Sequence, residues 1–87
     1  MVIRQELKEM KKYIYFEVIE EKPKTKVWSI FNKTDLSQLG IIKWWGSWRQ
    51  YCFFPESDTI WSTGCLQDII DFIARENKAR EVLKEKL

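Results

Sequence analysis

Hydrophobic and polar residues alternate along the first part of the chain with the period of β-strands that bury one face. The segment from Tyr13 to Glu20 has the clearest alternation, with Ile14, Phe16 and Val18 on one side. It is rich in β-branched and aromatic residues, which favour strands. We therefore predict a strand over 13–20 whose Ile14 face packs against the core.

The same reasoning predicts four more strands, over 26–32, 39–45, 48–54 and 59–61. Both faces of the segment 26–32 carry apolar side chains, so the pattern leaves its buried face open. Gly46-Ser47 has the form of a two-residue type II′ turn, which would pair Trp45 with Trp48. Gly40 indicates a bulge or a close approach to the backbone. Short connections between consecutive strands predict an antiparallel meander.

A helix is predicted after the last strand, because apolar residues then recur at the helical period. The stripe consists of Leu66, Ile69, Ile70 and Ile73, with Cys65 and Phe72 at its margins. Ser62 or Thr63 can cap the helix, and Asp71 and Arg75 are spaced to form an ion pair. One helix covers one face of a sheet, which gives a two-layer domain.

The predicted fold class is therefore α+β, a five-stranded antiparallel β-meander with one C-terminal α-helix packed on one face. Residues 13–77 form the single domain. Residues 1–12 have helix-compatible apolar spacing and are expected to form a short helix or an arm. Residues 78–87 are mostly polar and either extend the helix or fray.

Aromatic side chains supply most of the driving force for folding. They make up 15% of the 87 residues, and six of them lie between positions 44 and 54. A chain this short buries a limited fraction of its surface, but each buried ring removes roughly 150–250 Å² from water. We therefore expect stability without a disulfide or a metal.

Several classes of function are disfavoured by composition. The chain has no histidine, which removes His-based catalysis, metal ligation and pH switching, and its net charge of +2 gives no general basic stripe for nucleic acid. Cys52 and Cys65 lack metal-binding spacing and a secretory context, so reduced thiols are favoured over a disulfide or a catalytic thiol. No phosphate-binding glycine motif occurs, and Asp68 and Asp71 fit solvated helix positions.

These observations predict a protein that is not an enzyme and uses no cofactor or metal. No apolar run is long enough for a membrane helix, and no signal-peptide pattern begins the chain. A cytoplasmic protein with no membrane partner is expected.

The candidate binding residues lie on the central hairpin, where cations and aromatic rings alternate. They are Lys43, Trp45, Trp48, Arg49 and Tyr51. Rings that stack on bases and cations that contact phosphate are what single-stranded nucleic acid or a nucleotide needs. The alternative is that some of these rings belong to the core, because a sheet so rich in aromatics must bury many of them.

A sheet face without a helix would leave an apolar patch, and such patches commonly mark a partner. The leading hypothesis is a non-enzymatic accessory protein that binds a host protein, or a second copy of itself, through this aromatic face. The alternative hypothesis is a binder of single-stranded nucleic acid or a nucleotide that uses the hairpin cations and tryptophans.

The run LGIIKWWGSWRQYCFFP at 39–55, followed by DTIW and then CLQDIIDFI at 65–73, resembles small uncharacterised proteins of bacteriophages and prophages. In those proteins a WRQYCFFP-like strand precedes a CLxDIxxFI-like helix. The resemblance is specific over 39–73 and loose over 13–31, and it excludes the first twelve residues and the tail. It implies a viral or mobile-element origin and binding rather than catalysis, for example sequestration of a host protein or a nucleotide signal.

Overall fold

In the part of the chain that the structure describes, five antiparallel strands form one sheet in which neighbours along the chain are neighbours in space. The computed structural model describes the backbone of residues 8–86 and the side chains of residues 8–82. The strands are β1 (Lys8–Met10), β2 (Ile14–Glu21), β3 (Lys26–Asn32), β4 (Gln38–Trp45) and β5 (Gln50–Pro55). One helix, α1 (Thr63–Lys86), follows the sheet. The predicted α+β meander with a C-terminal helix is confirmed.

The fifth strand is not the predicted one. Residues 8–10, expected in an arm or a short helix, pair with β2 as an edge strand, whereas residues 59–61 form none. The second difference has a local cause, since the Thr59 hydroxyl donates to the Glu56 carbonyl at 2.9 Å and the Trp61 indole N–H donates to Thr59 at 2.8 Å. These turn bonds replace strand pairing in the segment, whose Trp61 ring packs against Phe53 of β5, so β5 is an edge strand. The predictions for residues 1–7 lie outside the described residues.

Helix α1 begins as predicted and continues through the polar tail. The Ser62 hydroxyl accepts a hydrogen bond from the Cys65 backbone N–H at 3.1 Å, which identifies Ser62 as the N-cap. The helix extends to Lys86, so residues 78–86 continue it. At 24 residues it is about 36 Å long, enough to cross the whole sheet.

The core lies between α1 and the Ile14 face of the sheet, as the alternation in β2 predicts. Phe72 of α1 stacks on Phe16 with ring centroids 4.1 Å apart and meets Trp28 edge-on at 5.0 Å. Trp28 and Ile30 are buried in this cluster, which decides the inward face of β3. The packing therefore places the largest rings at the centre of the interface.

The helical stripe is rotated from the predicted one. Ile69 and Phe72 are buried, whereas Leu66 and Ile70 are 41% and 58% exposed. Hydropathy alone does not distinguish these positions, because all four side chains are strongly apolar. Insertion of the Phe72 ring between Phe16 and Trp28 decides the rotation, so the prediction of Leu66 and Ile70 as core residues is wrong.

Arg75 forms its ion pair with the sheet instead of its own helix. Its guanidinium donates to both carboxylate oxygens of Glu9 in β1, at 3.0 and 2.5 Å, and also to Glu76. Asp71, the predicted partner, accepts a bond from Gln67 at 2.9 Å. The predicted Asp71–Arg75 pair is therefore replaced by a contact that ties the edge strand to the helix, because the Glu9 carboxylate offers a two-pronged geometry.

This contact predicts a pH-dependent contribution to stability. Burial raises the pKa of the Glu9 carboxyl, but hydrogen bonds from Arg75 and Lys11 outweigh burial and lower that pKa below its ordinary value. The pair therefore stabilises the fold above the ordinary glutamate pKa and loses this effect as the pH falls through the lowered pKa. Glu9→Gln is expected to cost about 0.5–1 kcal/mol at neutral pH, since the pair is partly exposed.

Urea unfolding at neutral pH and at an acidic pH below the lowered Glu9 pKa measures this effect, because the carboxyl is charged at the first pH and neutral at the second. Asp71→Asn, which removes an exposed carboxylate outside the contact, is the matched control. A Glu9→Gln deficit of equal size at both pH values would contradict the ion-pair explanation.

Candidate functional site

The central hairpin closes with a four-residue loop, Gly46–Arg49, and not with the predicted two-residue turn. Trp45 pairs with Gln50, and no described glycine has a positive φ, so the predicted type II′ turn and the Trp45–Trp48 pair are wrong. The Trp48 and Arg49 N–H groups donate to the carbonyls three residues earlier, each at 3.2 Å. Arg49 then takes a φ of 54°, the left-handed conformation that returns the chain to the strand.

The longer loop shifts the pairing by two residues, and a shift of two preserves the faces. Trp44 pairs with Tyr51 on the helix side, and Lys43 pairs with Cys52 on the reverse side. The faces predicted for the two hairpin strands are therefore correct although the register is not.

The sheet face opposite α1, called here the open face, carries a row of partly buried side chains, mostly aromatic or aliphatic, together with the exposed Trp45. Its members include Tyr15, Phe31, Ile41, Lys43, Trp45 and Phe54. Within the part of the chain that the structure describes, no helix or strand packs over this face. The predicted uncovered aromatic face is present.

Two of the predicted site residues meet on the open face. The Lys43 ammonium lies 5.0 Å from the centre of the Phe54 ring, and the Trp45 ring lies 5.9 Å from the same ring. Trp45 is 41% exposed. A second ring pair, Tyr15 and Phe31, stacks at 5.2 Å further along this face. Lys43 and Trp45 therefore share a contact with Phe54, a ring that was not among the predicted site residues.

Tyr51 does not join this group, because it faces the helix and is buried. Its ring meets Trp28 and Trp44 edge-on at 5.2 and 5.4 Å, and its hydroxyl accepts the Lys26 N–H at 3.2 Å. Its own backbone N–H donates to Asn77 of α1 at 2.7 Å. Burial, with the nearby Glu76 charge, raises the Tyr51 pKa, so the phenol stays protonated at neutral pH. Tyr51 joins the hairpin to the helix.

Trp48 and Arg49 lie apart from the open-face pair, in the hairpin loop. Trp48 is 65% exposed. Arg49 contributes to a cavity of about 610 Å³, called here the cleft, between the hairpin loop, the β2–β3 turn and the C-terminal half of α1. The cleft is lined by Lys24, Trp44, Gly46, Arg49, Gln50, Asn77, Arg80 and Glu81.

Sequence reasoning missed the contribution of α1 to the cleft. Arg80 follows Phe72 by eight residues, which places the two on one helical face. Continuing from Phe72 along α1 in steps of four residues leads to Glu76 and then to Arg80. The polar composition after Asn77 concealed this continuation, because a stripe is recognised by apolar residues alone.

The described residues hold no group of three or more His, Cys, Asp or Glu side chains arranged for a metal ion. Cys52 and Cys65 are both free thiols. No helix in residues 8–86 is long and apolar enough to span a bilayer.

Comparison with known proteins gives one informative similarity. No protein-family model matches the chain, and no solved structure matches it. The chain is similar to an uncharacterised 9.3 kDa protein of Acholeplasma phage L2, with 39% identity over 44 residues. The matched region is 51% of this chain and 56% of the phage protein, so the chain spans little more than half of that relative. The similarity is to a phage protein whose printed name gives no activity.

Proposed function

We propose that this chain is a non-enzymatic accessory protein, encoded by a phage or mobile element, that binds a partner protein through its open face. The observation that carries the proposal is the aromatic row of the open face. Its side chains are partly buried and Trp45 is exposed, whereas α1 packs against the other face of the sheet. A small domain gains stability by burying rings, and rings left at the surface are available to a partner.

The layout of the open face suits a protein interface. Such interfaces have an aromatic centre and a polar rim, and their binding energy concentrates in a few large side chains. Phe54 and Trp45 provide the centre, with Lys43 over the Phe54 ring. At the β1 edge Lys8 lies opposite Glu17, which provides charges of both signs. Trp45 is the expected anchor.

The origin in a phage or mobile element rests on two similarities. One is to the Acholeplasma phage L2 protein. The other is the succession of a WRQYCFFP strand and a CLQDIIDFI helix, which resembles small phage and prophage proteins. Small accessory proteins of this kind fit binding to a host component better than catalysis.

Trp45→Arg is expected to abolish partner binding while the fold survives, because Trp45 is 41% exposed and lies outside the core cluster. The control is Ile70→Arg, which places the same charge at a 58% exposed position on the helix. Affinity capture from cells that carry the gene, with both variants and the unchanged protein, measures the effect. The proposal requires a protein that is retained by the unchanged chain and by Ile70→Arg and is lost with Trp45→Arg. Equal retention by all three would contradict it.

Self-association through the same face is the competing use of this surface. Light scattering over a concentration series decides between the two. A dimer that Trp45→Arg dissociates, and Ile70→Arg does not, would assign the open face to a second copy. A protein that stays monomeric at high concentration would mean that the open face binds a different protein.

The nucleic-acid alternative has some support in the open face, where Lys43 and the exposed Trp45 ring flank Phe54. Two of the predicted binding residues do not lie on the open face, because Tyr51 is buried against the helix and Arg49 lines the cleft. Tryptophan fluorescence titrated with a single-stranded oligonucleotide tests it. Quenching that weakens with salt would support it, and no quenching at low salt would remove it.

A further inference from the structure

The lining of the cleft carries an excess of positive charge. Lys24 comes from the β2–β3 turn, Arg49 from the hairpin loop and Arg80 from α1, and Glu81 is the one acidic residue in the lining. Three separate elements thus bring cations to one concavity. The sequence neighbourhood of each cation gives no hint of this, because their positions are far apart along the chain.

Nearby carboxylates are already committed to other partners. Glu76 accepts a bond from Arg75 at 3.1 Å, and Glu21 lies 4.0 Å from Lys26. Among the described side chains, no salt bridge involves Lys24, Arg49 or Arg80. The positive charge of the cleft is therefore not balanced by the described part of the protein.

Arg80 is positioned by packing and not by a protein acceptor. Its guanidinium lies 5.2 Å from the centre of the Trp44 ring. Its Nε atom is buried and has no hydrogen-bond partner among the described residues. A buried donor without an acceptor costs free energy, and such groups occur where a ligand or an ordered water completes the bonding. A ring-supported guanidinium keeps its planar fork available for an anion.

Asn77 supplies a neutral donor beside the cations. Its side-chain oxygen is used by the Tyr51 N–H at 2.7 Å, which leaves its NH₂ group as a donor. Arg49 contributes from a left-handed backbone conformation, φ 54°, which non-glycine residues rarely adopt. The lining thus combines two guanidinium forks, an ammonium and an amide.

We infer that the cleft binds the phosphate group of a small phosphorylated ligand. Arginine forks match the oxygens of phosphate in pairs, and a lysine adds a point charge. The volume of about 610 Å³ is within the range of sites that hold a molecule of nucleotide size. This site faces the helix side of the hairpin end and is separate from the open face, so it is independent of the proposed protein interface.

Titration of the unchanged protein with adenosine monophosphate tests the inference, with tryptophan fluorescence and calorimetry as readouts. We expect saturable binding, displacement by inorganic phosphate and no binding of adenosine. Absence of saturable binding by both phosphate-bearing probes would overturn the inference. An affinity for adenosine equal to the affinity for adenosine monophosphate would also overturn it. Binding of a single-stranded oligonucleotide alone would also overturn it, in favour of a nucleic-acid surface.

Two variants locate the site. Arg80→Gln and Lys24→Gln are each expected to weaken binding at least tenfold, since each removes a charge-assisted hydrogen bond to the phosphate. Lys24 lies in an exposed turn, so its variant stays informative if loss of the Arg80–Trp44 contact unfolds the chain. Lys78→Gln removes an equal charge from an exposed position of α1 outside the cleft and should change affinity less than twofold. Equal weakening by Lys78→Gln would show a nonspecific charge effect and would overturn the assignment.

Discussion

Phe72→Ala is expected to lower the free energy of unfolding by about 3–5 kcal/mol, the largest effect we predict for any single substitution in this chain. Phe72 is 2% exposed and lies between the Phe16 ring and the Trp28 ring, at centroid distances of 4.1 and 5.0 Å. Removal of the ring leaves a cavity between the sheet and the helix, because the surrounding side chains relax only partially into the space. A domain of this size has little stability in reserve, so the variant should be largely unfolded at room temperature.

Ile70→Ala is the matched control for Phe72→Ala. Ile70 lies two residues away on the same helix and is 58% exposed, so its truncation should cost well under about 1 kcal/mol. Chemical denaturation followed by circular dichroism measures both variants. Equal losses, or a larger loss for Ile70→Ala, would mean that the helix faces the sheet with the stripe predicted from the sequence.

Gly40→Ala is expected to cost about 1–3 kcal/mol, because a Cβ atom at this position would overpack the β4–β5 pair. It would lie 2.7 Å from a ring carbon of Phe53 and 2.7 Å from the carbonyl oxygen of Phe54. The Phe53 ring is itself held edge-on by Trp61 at 5.1 Å, which limits its retreat. The close approach expected at Gly40 is present, and it lies beside the register shift between β3 and β4.

Gly46→Ala is the corresponding control, because no heavy atom lies within 4 Å of the added Cβ and the φ of Gly46 is not positive. Its effect should be within about 0.5 kcal/mol of zero, or slightly stabilising through the unfolded state. Thermal unfolding of the two variants side by side measures the difference. A loss at Gly46 comparable to that at Gly40 would support the two-residue turn that the sequence suggested.

The two sites illustrate how far sequence reasoning reaches. The open face was predictable, since alternation assigns Lys43 and Trp45 to one side and Tyr51 to the other under any even shift of register. The burial of Tyr51 was not, because it depends on which face α1 covers. The cleft was not predictable either, because Lys24, Arg49 and Arg80 meet only through folding.

The local errors share a physical origin. The Gly46-Ser47 dipeptide satisfies the rule for a two-residue turn, yet the strands pair Trp45 with Gln50. That register pairs Trp44 with Tyr51 on the helix side, where their rings meet at 5.4 Å. Arg75 likewise had a suitable partner four residues away, but Glu9 offers two oxygens from the sheet. In each case a contact formed in the folded domain prevailed over a preference set by neighbouring residues. The two contacts are the Trp44–Tyr51 ring pair and the Arg75–Glu9 hydrogen bonds.

The class of fold, the four longer strands, the buried face of β2 and two candidate caps for the helix, Ser62 and Thr63, could be predicted from the amino-acid pattern alone. These follow from periodicity, capping and turn chemistry, which act between residues close along the chain. The membership of residues 8–10 in the sheet, the rotation of α1 that buries Phe72 and the formation of the cleft became visible only in the folded chain. These depend on contacts between distant residues, where ring shape and charge geometry select among arrangements that hydropathy leaves equivalent.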